Sequence, residues 1–370
     1  MTQPIAEEEL RYLRADDASV EITRKVRHVG ELVSPPASSL RRRLVREQGS
    51  ERLLMQLRMP EDPSPRERMR ALEQLDGEIL AGVRLARLVQ RSGADGHPAV
   101  LSRLVGYGDA PGNPFALLDP YIGEPLAALL DRRALFEDER MEFQRGLLEA
   151  LAWTAAAGVV HRAVSPATVR WDADLRRVQL CDFSRATVAD TPRTPVGVKP
   201  WASPDQRDGV GFADPRDDVW SAGLVLFQAL HGHDPGAFTR LPLSEHPDFA
   251  ERYQAVFAGT AAQRPTAATL LERIAPRVAP VRVTVGEELA KDRAAFRRLR
   301  GNKLGEPEPV AGARPRADTV PPPGPARSQG ESGGTSGPLE PSPPGLWLPI
   351  GVVIVVLAAG AVVAYLLLAR

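Results

Sequence analysis

Between Val159 and Ala186 the chain reads VVHRAVSPATVRWDADLRRVQLCDFSRA. This run interrupts helical patterning that begins at Glu137 and resumes downstream in DDVWSAGLVLFQALHG (217–232). It gathers His161, Arg162, Cys181 and Asp182 into one short segment. Cys181 is the only cysteine, which excludes an intrachain disulfide and any multi-cysteine zinc site. Directly before Asp182 it reads as a small buried hydrophobe rather than a reactive thiol. Asp182 could hold one divalent cation, but capping of local backbone amides is the plainer reading.

Upstream of this segment the pattern changes. The runs RRLVREQ (42–48) and RLLMQLRM (52–59) are apolar-rich and separated by Gly49 and Ser50, which predicts a hairpin. From Arg66 to Val89, apolar residues at Met69, Leu72, Leu75, Ile79, Val83 and Ala86 step by three and four and mark one helix face. A small β-rich lobe followed by a larger helical lobe is expected, an α+β chain. The 47 basic and 47 acidic side chains among 370 residues cancel. Neutrality removes the electrostatic footprint of nucleic-acid binding, so no nucleic-acid partner is expected. The six histidines are scattered along the sequence and suggest no metal cluster.

The C-terminal part has a different character. Residues 277–300 read as a short helical extension, and 301–345 hold 11 prolines and 9 glycines, the composition of a disordered linker. Residues 346–368, LWLPIGVVIVVLAAGAVVAYLLL, carry no charge. As a helix this run extends about 34 Å against a hydrocarbon core of roughly 30 Å, which predicts a transmembrane helix. The first thirty residues hold no apolar run of the kind a secretory signal needs. The expectation is a single-pass, C-terminally anchored cell-membrane protein whose folded part stays in the cytoplasm.

The 159–186 segment resembles the catalytic and metal-binding loops of the eukaryotic-type (bacterial serine/threonine) protein kinase family, H-R-D-L-x-x-x-N followed by D-F-G. LLMQLRM (53–59) is similar to that family's V-A-I-K strand, and EILAGVRLARL (78–88) to its third helix. ALLDPYIGEPLAALL (116–130) resembles the hinge between lobes, WASPDQ (201–206) the A-P-E stretch, and QRPTAATLLERI (263–274) the last helix. The matches run in order from about Val26 to Pro276. The resemblance therefore implies a bilobal protein-kinase-like fold over 26–276, with 1–25 an N-terminal extension.

The departures from the family pattern concern chemistry. LVSPPASS (32–39) stands where the family has a glycine-rich loop, and Pro35, Pro36 and Ala37 cannot offer the close N–H approach that phosphates need. Gln56 aligns with the phosphate-binding lysine, while Glu78 matches the helix glutamate that would hold it. Ala163 replaces the catalytic aspartate, Ser165 the lysine two positions on, and Thr168 the metal-binding asparagine. Asp182 and Phe183 are kept, but Ser184 replaces the glycine. A missing general base alone costs about 10²–10⁴ in rate, and a missing charge clamp a comparable factor. The resemblance implies structural roles for His161 and Arg162, for Asp218 and Trp220 under the catalytic loop, and for an ion pair between Asp205 and Arg264.

Scaffold residues without chemical ones predict a pseudokinase, acting as a membrane-tethered protein-binding or scaffolding module in serine/threonine phosphorylation signalling. ATP with Mg²⁺ is the cofactor the resemblance implies, and the missing groups argue against it, so no cofactor is expected. The alternatives are an active serine/threonine kinase with relocated charges, drawn from Lys25, Arg42 or Arg43, or an ATP-binding switch without phosphotransfer. The expected partners are proteins: an active serine/threonine kinase and a phosphothreonine-binding domain. Candidate phosphorylation sites are Thr187, Thr191 and Thr194 in the segment after Asp182, and Thr319, Ser328 and Thr335 in the linker.

Overall fold

Apolar residues alternate with polar ones along the first strands, and the alternation closes them into a barrel. The computed structural model describes residues 7–277 apart from 36, 37, 111, 198 and 239. The strands are β1 (Glu7–Arg14), β2 (Glu21–Leu32), β3 (Arg41–Glu47), β4 (Leu53–Arg58), β5 (Leu104–Gly108) and β6 (Phe115–Leu118), joined in the order β1-β2-β3-β4-β6-β5. Leu10, Tyr12, Val26, Val45, Leu54, Phe115 and Leu117 fill the interior. The predicted hairpin is β3–β4. Because β1 pairs with both β2 and β5, the small lobe includes Glu7–Arg14 and all of β2 rather than starting at Val26. The expected boundary would have cut β2 in half.

Helix α1 (Pro65–Ser92) packs on the opposite face of β4, against Met55, Leu57, Leu104 and Tyr107. A capping box starts it: Glu67 N–H donates to Ser64 Oγ, and Ser64 N–H donates to the Glu67 carboxylate at 2.9 Å. Pro65 occupies the first helical position, and Gly93 at φ 66° ends the helix in the left-handed conformation. The periodicity gave Arg66–Val89, so the cap and the stop add residues at both ends.

The connection to the large lobe runs through β7 (Glu124–Pro125) and α2 (Leu126–Leu130) to α3 (Glu137–Ala156). Two short sheets follow, β8 (Val159–Val160) with β11 (Thr187–Val188), and β9 (Val169–Asp172) with β10 (Arg177–Leu180) and β7. Helices α4 (Pro204–Asp208), α5 (Arg216–His231), α6 (Pro247–Tyr253) and α7 (Ala267–Ile274) complete the lobe. Its core joins Phe143 and Leu147 of α3, Trp171 of β9, Val225 and Phe227 of α5, and Tyr253. The histidines are less scattered than the sequence suggested. His231 and His246 stack at 3.9 Å, with His233 6.1 Å from His246, beside Phe227 and Phe249.

The expected helical extension, linker and transmembrane helix lie outside the described residues, as do Thr319, Ser328 and Thr335. Among the described residues no helix is long and apolar enough to cross a membrane.

Candidate active site

Asp218, in the first turn of α5, accepts the backbone N–H groups of His161 at 2.6 Å and Arg162 at 2.8 Å. These bonds hold Arg162 at φ 63°, a conformation few side-chain-bearing residues adopt. Burial pushes the Asp218 carboxyl up to about 7, against the two amides that favour its anion. His161 is fully buried, and burial lowers it to about 4, so its ring is neutral. Its Nε2 bonds the Cys181 carbonyl at 3.0 Å, and its Nδ1 accepts the Ala163 N–H at 3.2 Å. The ring also meets Phe183 edge-on at 4.6 Å. One imidazole thus joins the two loops. Cys181 is buried as expected, and burial drives its thiol well above its ordinary value.

Ala163 puts a methyl group where the family's base would stand. Thr168 does not face a metal position either. Its hydroxyl donates to the Ala163 carbonyl at 2.8 Å and accepts the Ser165 N–H at 3.1 Å, closing the loop on itself.

The cleft differs from the sequence reading in one important way. Gln56, aligned with the phosphate-binding lysine, does not face it. It pairs across β3–β4 with Arg43, whose Nε donates to Gln56 Oε1 at 2.5 Å and whose guanidinium also bonds Glu8. Both lie on the face of β4 that carries Leu54, whereas Met55 and Leu57 face α1. Arg42, opposite Leu57, points to the α1 side. Its guanidinium donates to Asp182 at 2.8 Å, joining the small lobe to the large. Of the cations in the relocated-charge alternative, Arg42 reaches the cleft and Arg43 turns away.

Glu78 is 2 % exposed and lies beside this pair. It accepts the Phe183 N–H, and burial together with the Asp182 charge pushes its carboxyl up to about 8, with Arg42 pulling the other way. Its Oε2 has no hydrogen-bond partner, which suits a neutral carboxyl better than a buried anion. Gly77 permits this docking. A Cβ there would lie 2.8 Å from the carbonyl oxygens of Phe183 and Ser184. Sequence reasoning passed over Gly77 because nothing local marks a close approach made by a distant loop.

Below the cleft, Arg264 is fully buried and bonds Asp205 at 2.9 Å, as anticipated. It also bonds Asp217 at 3.1 Å, and Asp217 in turn holds Arg193 at 2.9 Å and the Ser203 hydroxyl at 2.9 Å. The expected pair is therefore part of a network. Trp220 does not brace the catalytic loop. It packs on Phe257 at 5.4 Å, with Arg264 over its ring at 5.1 Å. The Arg162 side chain holds the segment after Asp182, donating to the Arg185 carbonyl at 2.7 Å and the Thr194 hydroxyl at 3.3 Å. Arg70, Arg162 and Arg185, with Glu73 and Asp76, line a cavity of about 910 Å³ that Thr187 and Thr194 also line. Thr191 instead donates its hydroxyl to the Val188 carbonyl at 2.7 Å.

Phosphoryl transfer needs a phosphate cradle, a fixed cation, a bound metal and an oriented nucleophile. This site retains a cation and one aspartate, and bonds them to each other. Among the described residues, no group of three or more His, Cys, Asp or Glu side chains is placed to hold a metal ion.

No protein-family profile matches the chain. It is 34% identical over 114 residues to CBL-interacting protein kinase 4 of Oryza sativa subsp. japonica, covering 29% of this chain and 25% of that one. It is 31% identical over 143 residues to the probable serine/threonine-protein kinase KCC4 of Saccharomyces cerevisiae, covering 38% and 14%. A probable serine/threonine-protein kinase of Streptomyces coelicolor is 29% identical over 164 residues, covering 41% and 24%. The chain spans a quarter or less of the length of these curated relatives. These relatives are serine/threonine protein kinases, one of them bacterial, and with the mixed α/β architecture they support a protein kinase family and a kinase-like fold.

Proposed function

We propose that this chain is a pseudokinase, a kinase-like fold that binds protein partners in serine/threonine phosphorylation signalling without transferring phosphate. The observation that carries the reading is Ala163: Asp218 braces the loop around it, Thr168 closes that loop on itself, and a methyl group stands where the resemblance puts a carboxylate base. The active-kinase alternative has one observation on its side, the Arg42 guanidinium in the cleft. That charge is engaged by Asp182, the residue a metal ion would need, so the same contact weighs against metal binding.

Recruitment would run through the folded surface or through phosphorylated threonines. Thr194 is the best-placed candidate, since this exposed residue's hydroxyl already accepts from Arg162 beside a cavity lined by three arginines and two carboxylates. A phosphate there adds about −1.5 to −2 charge and three acceptors. The proposed setting is the cytoplasmic face of the cell membrane, with residues 346–368 as the anchor. Co-purification of the full chain from its native membranes, with and without phosphatase, tests the reading. An associated serine/threonine kinase or phosphothreonine-binding protein is expected. Recovery of neither, together with phosphate transfer by the purified chain, would refute it.

A further inference from the structure

The segment joining the lobes carries an aromatic side chain that reaches inward. Tyr121 packs against the small-lobe cluster that includes Met55, Leu57, Ala116 and Leu118. Its hydroxyl is buried without a hydrogen-bond partner and lies within electrostatic reach of Glu78, Arg42, Cys181 and Asp182. The side chain starts at the hinge and reaches toward Arg42, which bonds Asp182. Two guanidiniums lie over the ring, Arg42 from the small lobe at 5.7 Å and Arg170 from the large lobe at 5.9 Å. Both are within the range of cation–π attraction.

The polar edge of the hinge is also engaged. Arg170 donates to the Ile122 carbonyl at 2.8 Å and to the Gly123 carbonyl, and the Ile122 N–H donates to Gln179 Oε1 at 3.0 Å. A purine base needs a flat apolar slot and free backbone groups along one edge. Here an aromatic ring of the chain lies against the apolar cluster with a guanidinium from each lobe over it, and side chains engage the backbone groups at Ile122 and Gly123.

We propose that Tyr121 is an internal plug that occupies the base-binding part of the cleft, and that Arg42 and Arg170 clamp it from the two lobes. The cleft then excludes adenine nucleotides, and the lobes are fastened by the chain's own side chains. The inference rests on the kinase-like reading of the cleft but not on the absence of phosphate transfer.

The test measures binding of the fluorescent nucleotide TNP-ATP, displaced by ADP, to the full chain in detergent. Wild type and Tyr121→Phe should bind ADP with Kd above 1 mM, since phenylalanine keeps the ring. Tyr121→Gly should bind at least tenfold more tightly than wild type. Tyr121→Val, which ends short of the Arg42 guanidinium, provides the same test with an apolar side chain retained, and the same gain is expected. Thermal melting scores the plug without any ligand. Tyr121→Phe should melt at or above the wild-type temperature, because a buried unpartnered hydroxyl is removed, whereas Arg170→Ala should melt lower. ADP binding to wild type below 100 μM would overturn the plug while leaving the transfer-free reading standing. Folded Gly and Val variants that bind no better than wild type would overturn it equally. Phosphate transfer by wild type that does bind would overturn both.

Discussion

Glu78 shows how one buried group reports on the cleft. Its carboxyl is raised to about 8 by burial, against an ordinary value near 4.5. In the folded state it therefore keeps its proton over a range in which the unfolded chain has lost it. The associated stability is fully present below about 4.5 and is lost as pH rises through about 8. Glu78→Gln mimics the neutral form, so wild type should lose melting temperature relative to this variant between pH 5 and 8.5. A constant difference across that range would mean Glu78 is ionised throughout. His161 works in the opposite direction, since its lowered value withdraws stability as pH falls from about 6.5 toward 4. The same scale holds a prediction for the catalytic loop. Ala163→Asp should restore no phosphate transfer, because the Arg42–Asp182 contact is untouched. Measurable transfer by that single variant would show that only the base was missing.

At the scale of elements, the sequence was most legible where a pattern repeats. The α1 periodicity and the β3–β4 hairpin were readable because each depends on spacing that a linear string records, whereas the Asp205–Arg264 pair followed from the family resemblance. Gln56 was misplaced for a physical reason. Strand side chains alternate with period two, so a slip of one residue moves a side chain to the other face of the sheet. Met55, Leu57 and Met59 alternate as a buried stripe, and that stripe assigns the α1 face to odd positions of β4. Tyr121 and Asp217 escaped notice because their partners lie far away in sequence.

Two substitutions test the elements themselves. Arg264→Ala removes a fully buried cation from Asp205 and Asp217 and should cost about 3–5 kcal/mol. Gly77→Ala pushes a methyl group into the 183–184 backbone and should cost roughly 1–3 kcal/mol despite alanine's better helix propensity. Urea unfolding midpoints check both, and a neutral Gly77→Ala would mean α1 is not held against Ser184.

At the scale of the molecule, side chains of the chain itself join the two lobes among the described residues. Arg42 bonds Asp182 and Glu78 accepts the Phe183 N–H. Under the proposed function, these contacts hold a surface for a protein partner. The central claim is that this surface survives without the chemistry. Incubation of the purified full chain with γ-labelled ATP and Mg²⁺ or Mn²⁺, alone and with a generic protein substrate, tests that claim most directly. The account predicts no labelled phosphate on either protein above the level given by an Asp182→Asn variant. Incorporation by wild type that disappears in Asp182→Asn would contradict it.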